Sequence, residues 1–305
     1  MNSRVGIYLN ECQITLLGQS HGGHVVLMTA FSPGISEPGE KRPFNSVISM
    51  SGNSGLVNAE QTVERSHAVA KELGCEGSAR EIMNCMRRFD TEAIVAATFK
   101  VHGPDAISGK GPKGITFAGE LFPIRNEREF RENRGPIRLM IGSTIFEVFG
   151  EPTGEDRVNR VLGIENRKEC LEKYRNDLGS GIFGSNYDEV SQEIVVTSNV
   201  YAKYIAEIGG EAYLYEYDNP VHGLHTQDAD LVLGLHEYEK NEDEVWLSRA
   251  YPRYFANFIN GKRPAYDWSP VNPQLMNYYS INRNRSDNVY PHMENGKTIN
   301  VKEAV

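Results

Sequence analysis

Ser20 stands between two glycines in Gly18-Gln19-Ser20-His21-Gly22, a G-x-S-x-G sequence. The apolar, β-branched run Ile14-Thr15-Leu16-Leu17 precedes it, and Gly22–Phe31, apolar and helix-like, follows. A strand, a sharp turn and a helix in that order project a serine hydroxyl from the chain as a nucleophile. Gly18 and Gly22 are expected to keep side chains out of the turn, where a Cβ would collide with the neighbouring strand or helix. The chemistry this allows is hydrolysis through a covalent intermediate on Ser20. A serine hydroxyl is a weak nucleophile alone. It needs a base to take its proton and an acid to orient that base.

Candidates for both follow later strand-like segments. Ile137–Ile141 reads as a buried strand ending at Gly142, and Glu147 comes soon after it in Ile145-Phe146-Glu147-Val148-Phe149. A lone carboxylate in such an apolar run is costly unless paired or hydrogen-bonded. The bland alternative is a Glu on an exposed loop. Ala212–Tyr217 reads as another strand, followed by Asp218-Asn219-Pro220-Val221-His222-Gly223-Leu224-His225. Two histidines therefore sit where a base is wanted, and spacing alone does not choose between His222 and His225. His21 and His24 adjoin the elbow, three positions apart. No third ligand lies near them in sequence, so no metal site is expected there.

The elements that must position these groups alternate in type. Ser46–Met50 reads as a buried strand. Ala59–Leu73 is an amphipathic helix stopped by Gly74, with short helices over Ser78–Arg88 and Thr91–Thr98. Gly103–Gly114 reads as a loop, and Asp156–Leu178 as helical patches. Asp188–Ile208 and Glu242–Ile259 read as long helices. The polar stretch from Asn282 to Val305 is expected to be a poorly ordered tail. Strands alternating with helices indicate an α/β fold with a largely parallel sheet. Ligands then bind beyond the carboxyl ends of the strands, where Ser20, Glu147 and the two histidines all fall.

The chain has 305 residues and a formal net charge of -9, which argues against a general nucleic-acid-binding surface. No apolar stretch approaches the length of a transmembrane helix, and Met1–Glu11 is too short and polar for a signal peptide. The four cysteines, Cys12, Cys75, Cys85 and Cys170, lack the paired spacing of a structural zinc site. By composition, Cys75 and Cys85 read first as two independent thiols. A disulfide between them is the alternative in an oxidising compartment.

Several motifs, in order along the chain, resemble the type B carboxylesterase/cholinesterase-like family of α/β-hydrolases. The elbow Ile14–Gly23 is similar to its V-T-L-x-G-x-S-A-G-G, with His21 replacing Ala. Phe31-Ser32-Pro33 and Val47–Gly52 resemble its L-S-P and A-I-x-x-S-G. Leu73-Gly74-Cys75 and Cys85-Met86-Arg87 resemble its L-G-C…C-L-R, and Phe117–Pro123 its I-D-G-x-F-L-P. Ile141–Glu147 resembles x-G-x-x-x-x-E, and His225–Gly234 resembles H-x-x-E-L-x-Y-x-F-G. Tyr254–Phe258 and Trp268-Ser269-Pro270 resemble its closing motifs.

The resemblance implies an α/β-hydrolase domain over residues 1–281 and a polar C-terminal tail over 282–305. It implies hydrolysis of a small-molecule carboxylic ester, without a cofactor, by Ser20, His225 and Glu147, which selects His225 over His222. The backbone of His21 is implied as an oxyanion donor, and a Cys75–Cys85 disulfide follows if the chain is secreted or extracellular. Copies are expected to associate through C-terminal helices, here Glu242–Ile259. Met1–Glu11 does not resemble the family's N-terminal portion. The expectation is therefore a truncated fold lacking the signal peptide, further oxyanion donors and flanking strands, poorly active or unstable alone. Asn284-Arg285-Ser286 is a glycosylation sequon in a secreted protein. The competing expectation is a non-catalytic cholinesterase-like adhesion or interaction protein. A third is a binding protein without turnover.

Overall fold

The computed structural model describes residues 14–32, 35, 42–52, 59–103, 137–144, 147, 168, 172, 175–176, 189–219 and 221–295. Met1–Glu11, Phe117–Pro123 and nearly all of the expected 103–114 loop and 156–178 helical patches lie outside these residues. The chain divides into two compact units, one of Met1–Ser54 with Arg131–Val305 and one of Gly55–Phe130.

The larger unit is built on a six-stranded sheet among the described residues. Its strands are β1 (Thr15–Gln19), β2 (Ser46–Met50), β3 (Arg138–Thr144), β4 (Glu211–Tyr217), β5 (Tyr278–Ile281) and β6 (His292–Glu294), adjacent in chain order. The first five run parallel and β6 pairs antiparallel with β5. Helix α1 (His21–Phe31) packs on β1 and β2, and α5 (Glu189–Glu207) on β3 and β4. Phe31 of α1 meets Tyr201 and Tyr204 of α5. The other face carries α6 (Gln227–Leu233) and α7 (Glu242–Ile259). The period-2 alternation of β4 sends Tyr213, Tyr215 and Tyr217 to that face, against Leu247, Tyr251, Phe255 and Phe258 of α7. Trp268 and Tyr279 close this core, stacked with ring centroids 4.5 Å apart. With helices on both faces, the central strands are buried throughout, which is why they read as continuous apolar runs.

The larger unit differs from expectation in three places. β3 runs through Gly142 to Thr144, because a parallel strand tolerates this glycine where the Tyr215 backbone and ring approach it. A Cβ on Gly142 would lie 2.3 Å from the Tyr215 carbonyl oxygen. The stretch expected to be a poorly ordered tail is, as far as residue 295, a turn and a paired strand. Strands β5 and β6 and helix α6 were not anticipated.

The smaller unit holds α2 (Ala59–Glu72), α3 (Ala79–Met86) and α4 (Thr91–His102). Helix α2 ends at Gly74, whose φ of +71° suits a glycine. Ser78 and Glu81 form a capping box at the start of α3, and Asp90 caps α4 through the Ala93 N–H. Cys75 and Cys85 are joined by a disulfide, with Ala70 and Ile82 packed around it.

The elbow is a close packing of backbone on backbone. A Cβ on Gly18 would lie 2.1 Å from the Gly22 carbonyl oxygen. One on Gly52 would lie 2.5 Å from Gly23. Gly22 itself has open space where its Cβ would go, so it is the neighbour that Gly18 must clear and not a second crowded position. Gly18→Ala is therefore expected to lower stability by about 1–3 kcal/mol in denaturant unfolding, whereas Gly22→Ala changes it by well under about 1 kcal/mol. Cys85→Ala, which opens the loop closed by the disulfide, is expected to cost about 2–3 kcal/mol in the same measurement.

Candidate active site

Ser20 occupies the turn between β1 and α1 with φ 57°, a region L-residues rarely adopt. Its N–H donates to the Met50 carbonyl at the end of β2 (2.8 Å), and its own carbonyl accepts the first helical bond from His24 (3.1 Å). These two bonds hold the strained turn, and the hydroxyl projects beyond the sheet. The next strand repeats the device. Ser51 has φ 47° and its N–H donates to the Gly142 carbonyl of β3 (2.8 Å).

Glu147 follows β3 and is 1% exposed. Its Oε1 accepts the Thr144 N–H at 2.8 Å, and its Oε2 pairs with Nδ1 of His225. The Glu147 carbonyl also accepts the His225 N–H at 3.1 Å, so backbone and side chain both hold the histidine. On its other side, Nε2 of His225 lies 2.7 Å from Ser20 Oγ. A carboxylate can only accept, so the Nδ1–H faces Glu147 and Nε2 is left to accept from the serine hydroxyl. One imidazole thus bridges a serine 205 positions away in sequence and a glutamate 78 positions away.

His222 belongs to a different arrangement. Its Nδ1 pairs with the buried Glu244 of α7, and its ring stacks on Tyr238 with centroids 3.9 Å apart. Asn219 completes this cluster. Its Nδ2 donates to Glu244 Oε1 and to the Tyr217 hydroxyl, both at 3.0 Å, while its Oδ1 accepts the Val221 N–H at 3.0 Å. The cluster fixes the loop leading to His225. Sequence reasoning missed Asn219 and Glu244. The one available signal was the pairing of Asn241 and Glu244 as a capping box at the start of α7.

The His21 N–H lies in the first turn of α1, where N–H groups have no intrahelical acceptor and the helix dipole is positive. An oxyanion on a group bound to Ser20 could accept from it. His24 is 1% exposed, and burial together with the neighbouring His21 lowers its pKa to about 4, so its ring is neutral at physiological pH. Among the described residues no three His, Cys, Asp or Glu side chains gather as metal ligands would, and no helix is long and apolar enough to cross a membrane.

The model of the carboxylesterase family matches residues 10–150 and 163–299. Among solved structures, a PNB esterase is 16% identical with a TM-score of 0.71, over 97% of this chain and 64% of that chain. A thermophylic PNB esterase is 17% identical with a TM-score of 0.73, over 97% and 63%. A further PNB esterase structure is 16% identical with a TM-score of 0.74, over the same shares. No curated protein matches. At such identities the likeness shows the fold, that of an α/β-hydrolase, and this chain spans less than two thirds of those chains. The family match covers most of the sequence on both sides of the elbow, and the chain belongs to the carboxylesterase family.

Proposed function

We propose that this chain carries the Ser-His-Glu triad of a carboxylic ester hydrolase working through an acyl-enzyme. The observation that supports it most is the single His225 imidazole, paired with buried Glu147 on one side and 2.7 Å from Ser20 Oγ on the other. Ser20 Oγ attacks the ester carbonyl carbon as Nε2 of His225 takes its proton. The carbonyl oxygen becomes an oxyanion facing the first turn of α1, with the His21 N–H as a donor. Collapse breaks the bond to the alcohol, which leaves with the proton from His225. Water then attacks the acyl-serine by the same route and releases the acid. Glu147 orients the imidazole and stabilises its charged form without itself taking the proton.

A non-catalytic interaction protein with this fold does not require the three groups to stay in contact, so their alignment favours the hydrolase. The Cys75–Cys85 disulfide supports an oxidising, secreted or extracellular setting.

The test is hydrolysis of short-chain nitrophenyl esters by the full chain and by three variants. Ser20→Ala and His225→Ala are expected to lower kcat/KM by about 10³-fold or more. His222→Ala is expected to stay within about tenfold of the parent. It should lower stability by about 1–3 kcal/mol, since it removes a partner of buried Glu244. Equal turnover by the parent and Ser20→Ala contradicts the proposal.

A further inference from the structure

Asn284-Arg285-Ser286 is the only Asn-x-Ser/Thr sequence in the 305 residues. The fold gives it a definite setting. Asn284 and Val289 pair as an isolated antiparallel bridge, each N–H donating to the other's carbonyl, at 3.2 and 2.8 Å. The four residues between them, Arg285 to Asn288, make the loop of a short hairpin, and all four are exposed. Asn288 closes the loop at φ 56°, a conformation that asparagine adopts more readily than most residues. The hairpin follows β5, which runs parallel to β4, so it stands at the same edge of the sheet as Ser20, Glu147 and His225.

The hairpin is fixed to the start of α7. The Arg285 N–H donates to both carboxylate oxygens of Asp243, at 3.1 and 3.3 Å, and the Arg285 guanidinium pairs with Glu242. Arg283 lies over the Tyr290 ring at 4.1 Å and over the Trp246 ring of α7 at 6.0 Å. Side chains alternate along a strand pair, so Arg283 and Tyr290 face α7 while Asn284 and Val289 face away from it. The Asn284 carboxamide bonds within its own loop. Its Oδ1 accepts the Asp287 N–H at 3.1 Å, and its Nδ2 donates to Asp287 Oδ2 at 2.8 Å. A carboxamide nitrogen carries two hydrogens. A substituent that replaces one of them leaves the other for Asp287, and the Oδ1 bond is untouched. The loop therefore accommodates a group on Nδ2 with its own hydrogen bonds kept.

We propose that Asn284 is an N-glycosylation site. The co-reactant is an oligosaccharide joined through C1 of its first sugar to a lipid pyrophosphate. A bond forms between Asn284 Nδ2 and C1 as the bond from C1 to the phosphate oxygen breaks. The pyrophosphate leaves with that electron pair, one Nδ2 proton is released, and nothing is oxidised or reduced. The proposal rests on the oxidising, secreted setting that the Cys75–Cys85 disulfide supports, and not on the triad.

The test is to express the full chain in a eukaryotic cell behind a cleavable secretory leader. Peptides of the secreted protein are mapped by mass spectrometry before and after an amidase that removes N-linked sugar. The peptide holding Asn284 is expected to carry the sugar, and to show aspartate in place of that asparagine after the amidase. Ser286→Ala breaks the sequon but keeps Asn284 and its bonds to Asp287, so it should fold and lose the sugar completely. Asn284→Gln should lose it as well. A secreted parent with Asn284 unmodified, or sugar retained in Ser286→Ala, overturns the proposal. Cys75 and Cys85 found as free thiols in the secreted parent overturn the reading of an oxidising setting, while the Asn284 peptide still decides the modification.

Discussion

The site depends on a carboxylate that cannot stand alone. Glu147 is buried at the end of β3, where an unpaired charge is costly. It is held by the Thr144 N–H and by His225, which it binds through both side chain and backbone carbonyl. That contact ties the end of β3 to the loop beyond β4. It also sets which nitrogen of His225 carries the proton, and so which nitrogen faces Ser20. A local requirement, the satisfaction of one buried charge, thereby sets the geometry of the whole constellation.

Strand order makes this possible. Chain-ordered parallel strands bring the ends of β1, β3 and β4 to one edge of the sheet. Each end is finished differently. β1 turns through a strained serine between crowded backbones, β3 runs on to a capped glutamate, and β4 enters a loop pinned by Asn219 and Glu244. The aromatic core of Tyr213, Tyr215, Tyr217, Tyr251 and Trp268 underlies that third end. The phenols serve twice, as apolar packing and as hydrogen-bonding partners of buried polar groups, which is how acids and bases lie so close to a tightly packed interior.

Much of this was legible in the sequence. Strands β1 to β4 are short apolar or aromatic runs between turn signals, and α7 runs over Glu242–Ile259 as expected. The serine elbow and the later acid and base were visible because each follows a strand. Spacing did not choose between His222 and His225, and only the family resemblance pointed to His225. The physical reason, the pairing of His222 with buried Glu244, turns on a charged residue at a helix start whose burial the sequence does not announce. Strands β5 and β6 have only four and three residues, too few to show alternation. Gly22 was misread because the motif does not say which of its two glycines needs the space: the Gly22 carbonyl crowds Gly18, while nothing crowds the place of a Cβ on Gly22.

The central claim is that Ser20 is an activated nucleophile. It is tested most directly by treating the folded chain with a fluorophosphonate and mapping the adduct by mass spectrometry of its peptides. The account predicts one stoichiometric adduct on Ser20, formed slowly or not at all once His225 is replaced. A folded chain that gives no adduct, or carries it on another residue, contradicts it.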